Sequence, residues 1–193
     1  MGIKKIFKLL VVVCFVSSIA AAQEMSQDEQ MKVWMDYMTP GEVHQSMAKM
    51  AGDWKTDNKM WMMPGADPVV NVGAAKIEML LGGRYMKTTH TGDFMGMPFE
   101  GFSLEAYDKA INEFSSIWVD NFGTGMMMMK GKFDPTTKTI NYKGTMVDPM
   151  QKKELTVREV FTFMDDNKFT MEMYNQGPDG KEFKSMESVF TRK

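Results

Sequence analysis

Polar and apolar positions follow two rhythms in this chain, changing over near residue 52. Ahead of it the apolar residues recur every three to four positions. Met31, Trp34, Met35 and Met38 stand at i, i+3, i+4 and i+7, and Ser26-Gln27-Asp28-Glu29 before them has capping-box spacing. That pattern predicts a first helix. Thr39-Pro40-Gly41-Glu42 repeats the start signal with proline at the first helical position, and Val43, Met47 and Met50 then mark one face of a second. A helical segment is expected over residues 23–50.

From Asp53 onward the period is two. Phe169, Met171 and Met173 alternate with Thr170 and Glu172, and Ile140, Tyr142 and Met146 alternate with polar neighbours. Turn chemistry recurs at Leu81-Gly82-Gly83, Asp134-Pro135-Thr136-Thr137, Val147-Asp148-Pro149, Asp165-Asp166-Asn167-Lys168 and Gly177-Pro178-Asp179-Gly180. About ten strands fit between Asp53 and Arg192, given ordinary strand and loop lengths. The expected fold class is therefore mainly β, a single antiparallel meander over residues 51–193. Ten strands must hide their edges. Closure into a barrel does so and leaves room inside for a ligand, while a flattened sandwich is the alternative. The two helices, apolar on one face, are placed to plug or lid an open end.

The first 22 residues read as an address. Lys4, Lys5 and Lys8 precede the short apolar core Leu9 to Val16, and Ala20-Ala21-Ala22 supplies the small residues of a cleavage site. The core is too short to cross a bilayer of roughly 30 Å as a helix. Cleavage after Ala22 predicts an exported protein, periplasmic or secreted, with no integral membrane segment in its mature form. Loss of the three lysines, with no acid lost, moves the net charge from −2 to −5, which argues against nucleic acid as a partner. It also removes Cys14, the sole cysteine, and with it disulfide and thiolate chemistry. The remaining 171 residues suffice for one domain.

Several short motifs narrow the fold. Gly52-Asp53-Trp54 opens the first strand like the G-x-W of lipocalin-type barrels, where the Trp packs under an Arg from the last strand; Arg192 holds a suitable place, so Trp54 and Arg192 are the expected closure pair. Over residues 39–192, Thr-Pro-Gly-Glu-x-His (39–44), Ala-Gly-Asp-Trp (51–54), Met-Pro-Gly-Ala (63–66), Leu-Gly-Gly-Arg-Tyr (81–85), Gly-Met-Pro-Phe-Glu-Gly (96–101) and Trp-Val-Asp-Asn (118–121) occur in that order. Together they strongly resemble the bacterial family known as domain of unknown function 1579. The resemblance implies a calycin-like barrel and no established activity. Met126 to Met129 depart from it, being richer in methionine than the family pattern.

Candidate chemistry centres on that run and a few inward positions. In a strand, Met126 and Met128 share one face and Met127 and Met129 the other, so four consecutive thioethers cannot converge on one ion without a bulge. Thioethers suit Cu(I), but flexible methionine equally fills an irregular apolar space. His90 shares parity with Met86 and Thr88, and an inward histidine is a possible haem ligand. Trp118 offers a stacking wall and Asp120 a fixed acceptor or a turn cap. Glu159 shares parity with Leu155, Val157, Phe161 and Phe163, and if buried needs a partner, for which Arg84 is one candidate. His44 is expected on an exposed helix flank. The expected ligand-binding set is Met86, His90, Trp118, Asp120, Met126, Met128 and Tyr142, with no catalytic or metal residue assigned. Ser103, Ser115 and Ser116 lack a nucleophile-elbow setting, and Gly82-Gly83 leads to a strand rather than a phosphate-binding helix. The expected partner is a small apolar or amphipathic molecule, with no cofactor required. Haem or copper binding, and an enzyme pairing Asp120 with another cavity carboxylate, are the alternatives.

Overall fold

The computed structural model describes residues 25–193. The expected cleavage site and the segment before it lie outside them. Two compact units divide the chain after Asp36. In the first, helix α1 (Gln27–Met38) begins as its sequence predicts: the Glu29 carboxylate accepts from the Ser26 backbone N–H at 2.8 Å, and Ser26 Oγ accepts from the Glu29 N–H at 3.3 Å. Its apolar residues Met31, Trp34 and Met35 are exposed.

The second unit contains helix α2 (Glu42–Ala48) and ten strands: β1 (Gly52–Met60), β2 (Val69–Leu80), β3 (Tyr85–Phe94), β4 (Met97–Asp108), β5 (Glu113–Asp120), β6 (Met127–Asp134), β7 (Thr139–Asp148), β8 (Lys153–Asp165), β9 (Lys168–Gln176) and β10 (Glu182–Arg192). Each strand pairs antiparallel with the next, and β1 pairs with β10, so the meander closes into a barrel. Closure leaves no sheet edge to template association.

The hairpins show how local chemistry sets this order. Asp108, Asp134, Asp148, Asp165 and Asp179 each accept, through Oδ1, the backbone N–H two residues on, at 2.7–3.0 Å. An aspartate there folds the chain back on itself before any long-range pairing exists. The β3–β4 turn is tighter: Met95 and Gly96 both have positive φ, 55° and 83°, matching the twist a two-residue hairpin requires.

One end of the barrel is joined to α2. Trp54, 1 % exposed, donates its indole N–H to the Met50 carbonyl at 3.0 Å. Arg192, opposite Trp54 in the β1–β10 register, lies 4.4 Å from the indole ring. Its guanidinium donates to the carbonyls of Ala51 (2.8 Å), Lys49 (2.7 Å) and Asp166 (2.9 and 3.0 Å). The pair thus satisfies the carbonyls of Lys49, Met50 and Ala51, which link α2 to β1, and it ties that link, the barrel seam and the β8–β9 turn together. His44, expected at the surface, is 6 % exposed instead. Its Nδ1 accepts the Gly41 N–H at 3.2 Å, and its ring packs on Tyr107 at 5.8 Å. A capping role at the third helical position took it inside.

Candidate functional site

Strand alternation turns one residue in two toward the barrel axis, and these side chains surround a cavity of about 1470 Å³. Pockets for drug-sized ligands typically run to about 1,000 Å³, so this one accommodates a sizeable molecule. Val43 and Met47 of α2, with Met50 just after it, line one end, as expected of a plug. The exposed residues Met62, Phe122 and Met126 line the other.

Toward that rim stands an aromatic group. His90 meets Trp118 edge-on at 5.2 Å and Phe190 at 5.9 Å, while Phe99 stacks on Trp118 at 6.2 Å. Gly101 lies between His90 and Asp120 in the β3–β4–β5 register. It leaves the space the indole occupies: a Cβ there would sit 2.8 Å from Trp118 Cζ2 and 3.0 Å from Asp120 Cβ. Asp120 holds the ring in place. Its Oδ2 accepts the Trp118 indole N–H at 2.7 Å, and its Oδ1 caps the next turn by accepting the Phe122 and Gly123 N–H groups at 2.9 and 3.1 Å. Both oxygens are committed, so Asp120 is a positioning residue for Trp118 and is ill placed for proton transfer. Gly101→Ala is expected to drive the indole off the wall, at a cost of about 1–3 kcal/mol. The near-ultraviolet circular dichroism of the tryptophans would change; an unaltered spectrum would contradict the packing described.

His90 has no hydrogen-bond partner among the described residues, and burial pulls its imidazole down to about 4. It is neutral near neutral pH.

Deeper in, two carboxyl groups face the same space. Glu105 of β4 is 7 % exposed and Glu159 of β8 is 5 % exposed. Burial raises Glu105 to about 7, the Ser103 and Ser116 hydroxyls pulling the other way. Burial, then the charge of Glu105, raises Glu159 to about 8. Tyr142, opposite Glu159 in the β7–β8 register, is pushed well above its ordinary value by burial and then by both carboxylates. The expected partner Arg84 is elsewhere, donating to the carbonyls of Met38 and Leu81. A polar strip completes the lining: Ser188 Oγ donates to Asn58 Oδ1 at 2.7 Å, and Asn58 Nδ2 donates to Asn71 Oδ1 at 2.8 Å. Methionine and aromatic side chains make up much of the rest.

The acid pair gives stability a direction with pH. Unfolded, both glutamates release protons near 4.5; folded, they keep them to about 7 and 8. The native state therefore binds more protons across this window, and the pair's contribution, complete below pH 4.5, is lost as pH rises through 7 and 8. His90 acts oppositely: unfolded it takes a proton below 6.5, folded only near 4, so stability falls as pH drops from 6.5 toward 4. Above that range the glutamates decide. Tm should decline from pH 6.5 to about pH 9, and Glu105→Gln with Glu159→Gln should flatten the profile. A wild-type profile already flat there would refute the assignment.

Of the residues expected from sequence to bind ligand, Met86, His90, Trp118, Asp120 and Tyr142 line the cavity, and Met126 stands at its rim, 52 % exposed. Met128 does not: it is 63 % exposed on the outer face, and its neighbours Met127 and Met129, 8 % and 3 % exposed, point inward. The pleat of β6 thus splits the run, Met127 and Met129 inside and Met128 outside, with Met126 ahead of the strand at the rim. Among the described residues no group of three or more His, Cys, Asp or Glu is arranged to hold a metal ion. Glu105 is the residue that sequence reasoning passed over. In Phe102-Ser103-Leu104-Glu105-Ala106-Tyr107 the simple rule turns Phe102 and Leu104 inward, yet Ser103, Glu105 and Tyr107 line the cavity and Phe102 is 37 % exposed. Cross-strand pairing with Ser116 and Met86, themselves inward, was the available signal.

Comparison with known proteins agrees with this architecture. Residues 39–192 match a family described as "Protein of unknown function (DUF1579)". The crystal structure of Rv2717c from M. tuberculosis superposes with a TM-score of 0.61 at 11 % identity, covering 80 % of this chain and 99 % of that one. A redesigned beta barrel aligns at a TM-score of 0.40 with 11 % identity, over 76 % of this chain and 94 % of its own. No curated protein matches the sequence.

Proposed function

This chain belongs to the DUF1579 family of proteins of unknown function, and within that family we propose that it is an exported binding protein for a small apolar or amphipathic molecule. The observation that carries the reading is the cavity of about 1470 Å³ inside a closed barrel, its lining rich in methionine and aromatic side chains and also carrying inward polar groups. Such a lining draws apolar surface out of water at about 25 cal/mol per Å². The thioethers adapt to varied shapes, because an unbranched side chain with three rotatable bonds repacks at little cost. Export is supported by the basic, apolar and small-residue order of residues 1–22.

Titration with Nile red, a neutral dye whose emission shifts in apolar surroundings, tests the binding role. Saturable uptake of one dye per chain is expected. Absence of saturable uptake would overturn it. The intact mass of the protein recovered from the cell envelope or medium tests export, with cleavage after Ala22 expected.

One observation favours a second reading. His90 offers a neutral imidazole without a partner, between Trp118 and Phe190 on the cavity wall. That is the state in which histidine ligates iron, and the haem ring, apolar but for its two propionates, is of suitable size. An intense visible absorption band on adding haemin, lost in His90→Ala, would support it; a spectrum of free haemin alone would exclude it.

A further inference from the structure

Resting on the binding role proposed above, we propose that the ligand is an organic cation, an apolar molecule ending in a protonated amine, and that Glu105 and Glu159 receive its head.

Both carboxyl groups are more than nine-tenths buried and line the cavity. Glu105 Oε2 has no hydrogen-bond partner, and neither has Asn175 Oδ1 on the same lining. Both are acceptors. Native proteins leave few buried polar atoms unmatched, and an orphan facing a ligand cavity marks where a donor is wanted. Beside Glu105 the chain sets the Ser103 and Ser116 hydroxyls, but no cation. All three arginines are engaged elsewhere: Arg84 on the Met38 and Leu81 carbonyls, Arg158 on Glu182 at 2.9 Å, Arg192 on the barrel seam. The lysines on the cavity lining, Lys49, Lys132 and Lys138, are exposed. Apart from each other, the titratable group facing the two carboxyls is Tyr142, which bears no positive charge.

An ammonium group has three N–H donors and no acceptor. It can bond Glu105 Oε2 and a Glu159 oxygen together, beside the face of Tyr142, where cations are also attracted. Its hydrocarbon would lie along the apolar wall formed by Met129, Phe161, Met171 and Met173. A fatty acid head brought to the same place adds a third acid to two, and is repelled or held protonated. An alcohol can donate only once and gains no charge-assisted bond.

The cation also changes the protonation of its receptor. Each carboxyl that bonds the ammonium does so ionised, so uptake at neutral pH expels protons to solvent. Affinity for an amine therefore rises with pH across the range where free Glu105 and Glu159 hold theirs, while affinity for an alcohol does not.

The test compares decylamine, decanol and decanoate as competitors of bound Nile red at about pH 8, where the alkylamine is still charged. Decylamine is expected to bind at least about tenfold tighter than decanol, the ratio a charged hydrogen bond confers. Glu105→Gln with Glu159→Gln should remove that advantage, so that amine and alcohol bind alike. In the wild type, decylamine affinity should climb from about pH 6 to pH 8.5, and its calorimetric heat should depend on the buffer that takes up the proton. Equal affinity for amine and alcohol, or tighter binding of decanoate, would overturn the cationic head and leave the cavity reading intact, because Nile red reports on that separately. Failure of Nile red itself to bind would remove both. The wild-type pH dependence needs no variant, so it decides the matter even if the double substitution misfolds.

Discussion

Arg192→Ala is expected to lower stability by roughly 2–4 kcal/mol, the combined loss of a guanidinium stacked on indole and of hydrogen bonds to three carbonyls. The bonds go to Lys49, Ala51 and Asp166, so the cost is concentrated where α2, the β1–β10 seam and the β8–β9 turn meet. For a chain of this size a Tm drop of roughly 5–15 °C follows. Trp54→Ala, which empties a site only 1 % exposed, should cost more still, about 3–5 kcal/mol. The double variant should lose less than the sum, since each residue's contribution includes the other. Arg192→Lys should recover under half, because one ammonium cannot reach three carbonyls and lie flat on the ring. Urea unfolding of the four variants checks this; full stability in Arg192→Lys would show that charge alone matters at the seam.

Gly144→Ala is the second large effect. Its inward Cβ would run into the backbone carbonyl of Met128, with Met129 Cγ alongside at 2.5 Å. A backbone atom cannot step aside as a side-chain tip can, so β6 and β7 must part. Overpacking normally costs about 1–3 kcal/mol, and an obstructed ladder places this variant at or above the upper end. Met127 and Met129 leave their inward positions with β6, so Nile red uptake should fall together with stability. Gly125→Ala is the control. Nothing lies within 4 Å of a Cβ there, and it should stay within about 0.5 kcal/mol of wild type. Equal behaviour of the two alanines would mean that the close approach of β6 and β7 is wrong.

These two positions also show what the sequence could and could not reveal. Strand number, hairpin order and the seam residues were legible, because period-two alternation and an aspartate at the end of a strand act locally, and because G-x-W and a terminal Arg mark opposite ends of one β region. Which face turned inward was not legible everywhere. On β6 both faces carry methionine, so the alternation of Met126 to Met129 contains no hydrophobic contrast, and the choice of Met128 as a cavity residue was mistaken. On β4 the contrast is reversed, with Phe102 outside and Glu105 inside. A binding barrel admits polar groups to its interior to orient what it holds, and at such sites the rule that apolar residues face inward fails. His44 defeated a different assumption: its polarity suggested solvent, but its ring nitrogen served the helix start. Glu159 was visible as an acid among apolar neighbours. Its companion lies fifty-four residues away on a strand whose apolar pattern points to the other face, so the pair emerges only with the register.

Pressurising crystals of the protein with xenon tests the hollow interior most directly, since xenon settles in apolar voids and reports them as strong scattering peaks. One or more sites inside the barrel are expected, against Met129, Phe161, Phe169 and Met171. Crystals that take up xenon nowhere within the ring of ten strands, with side chains filling that space, would contradict the existence of a place for a ligand.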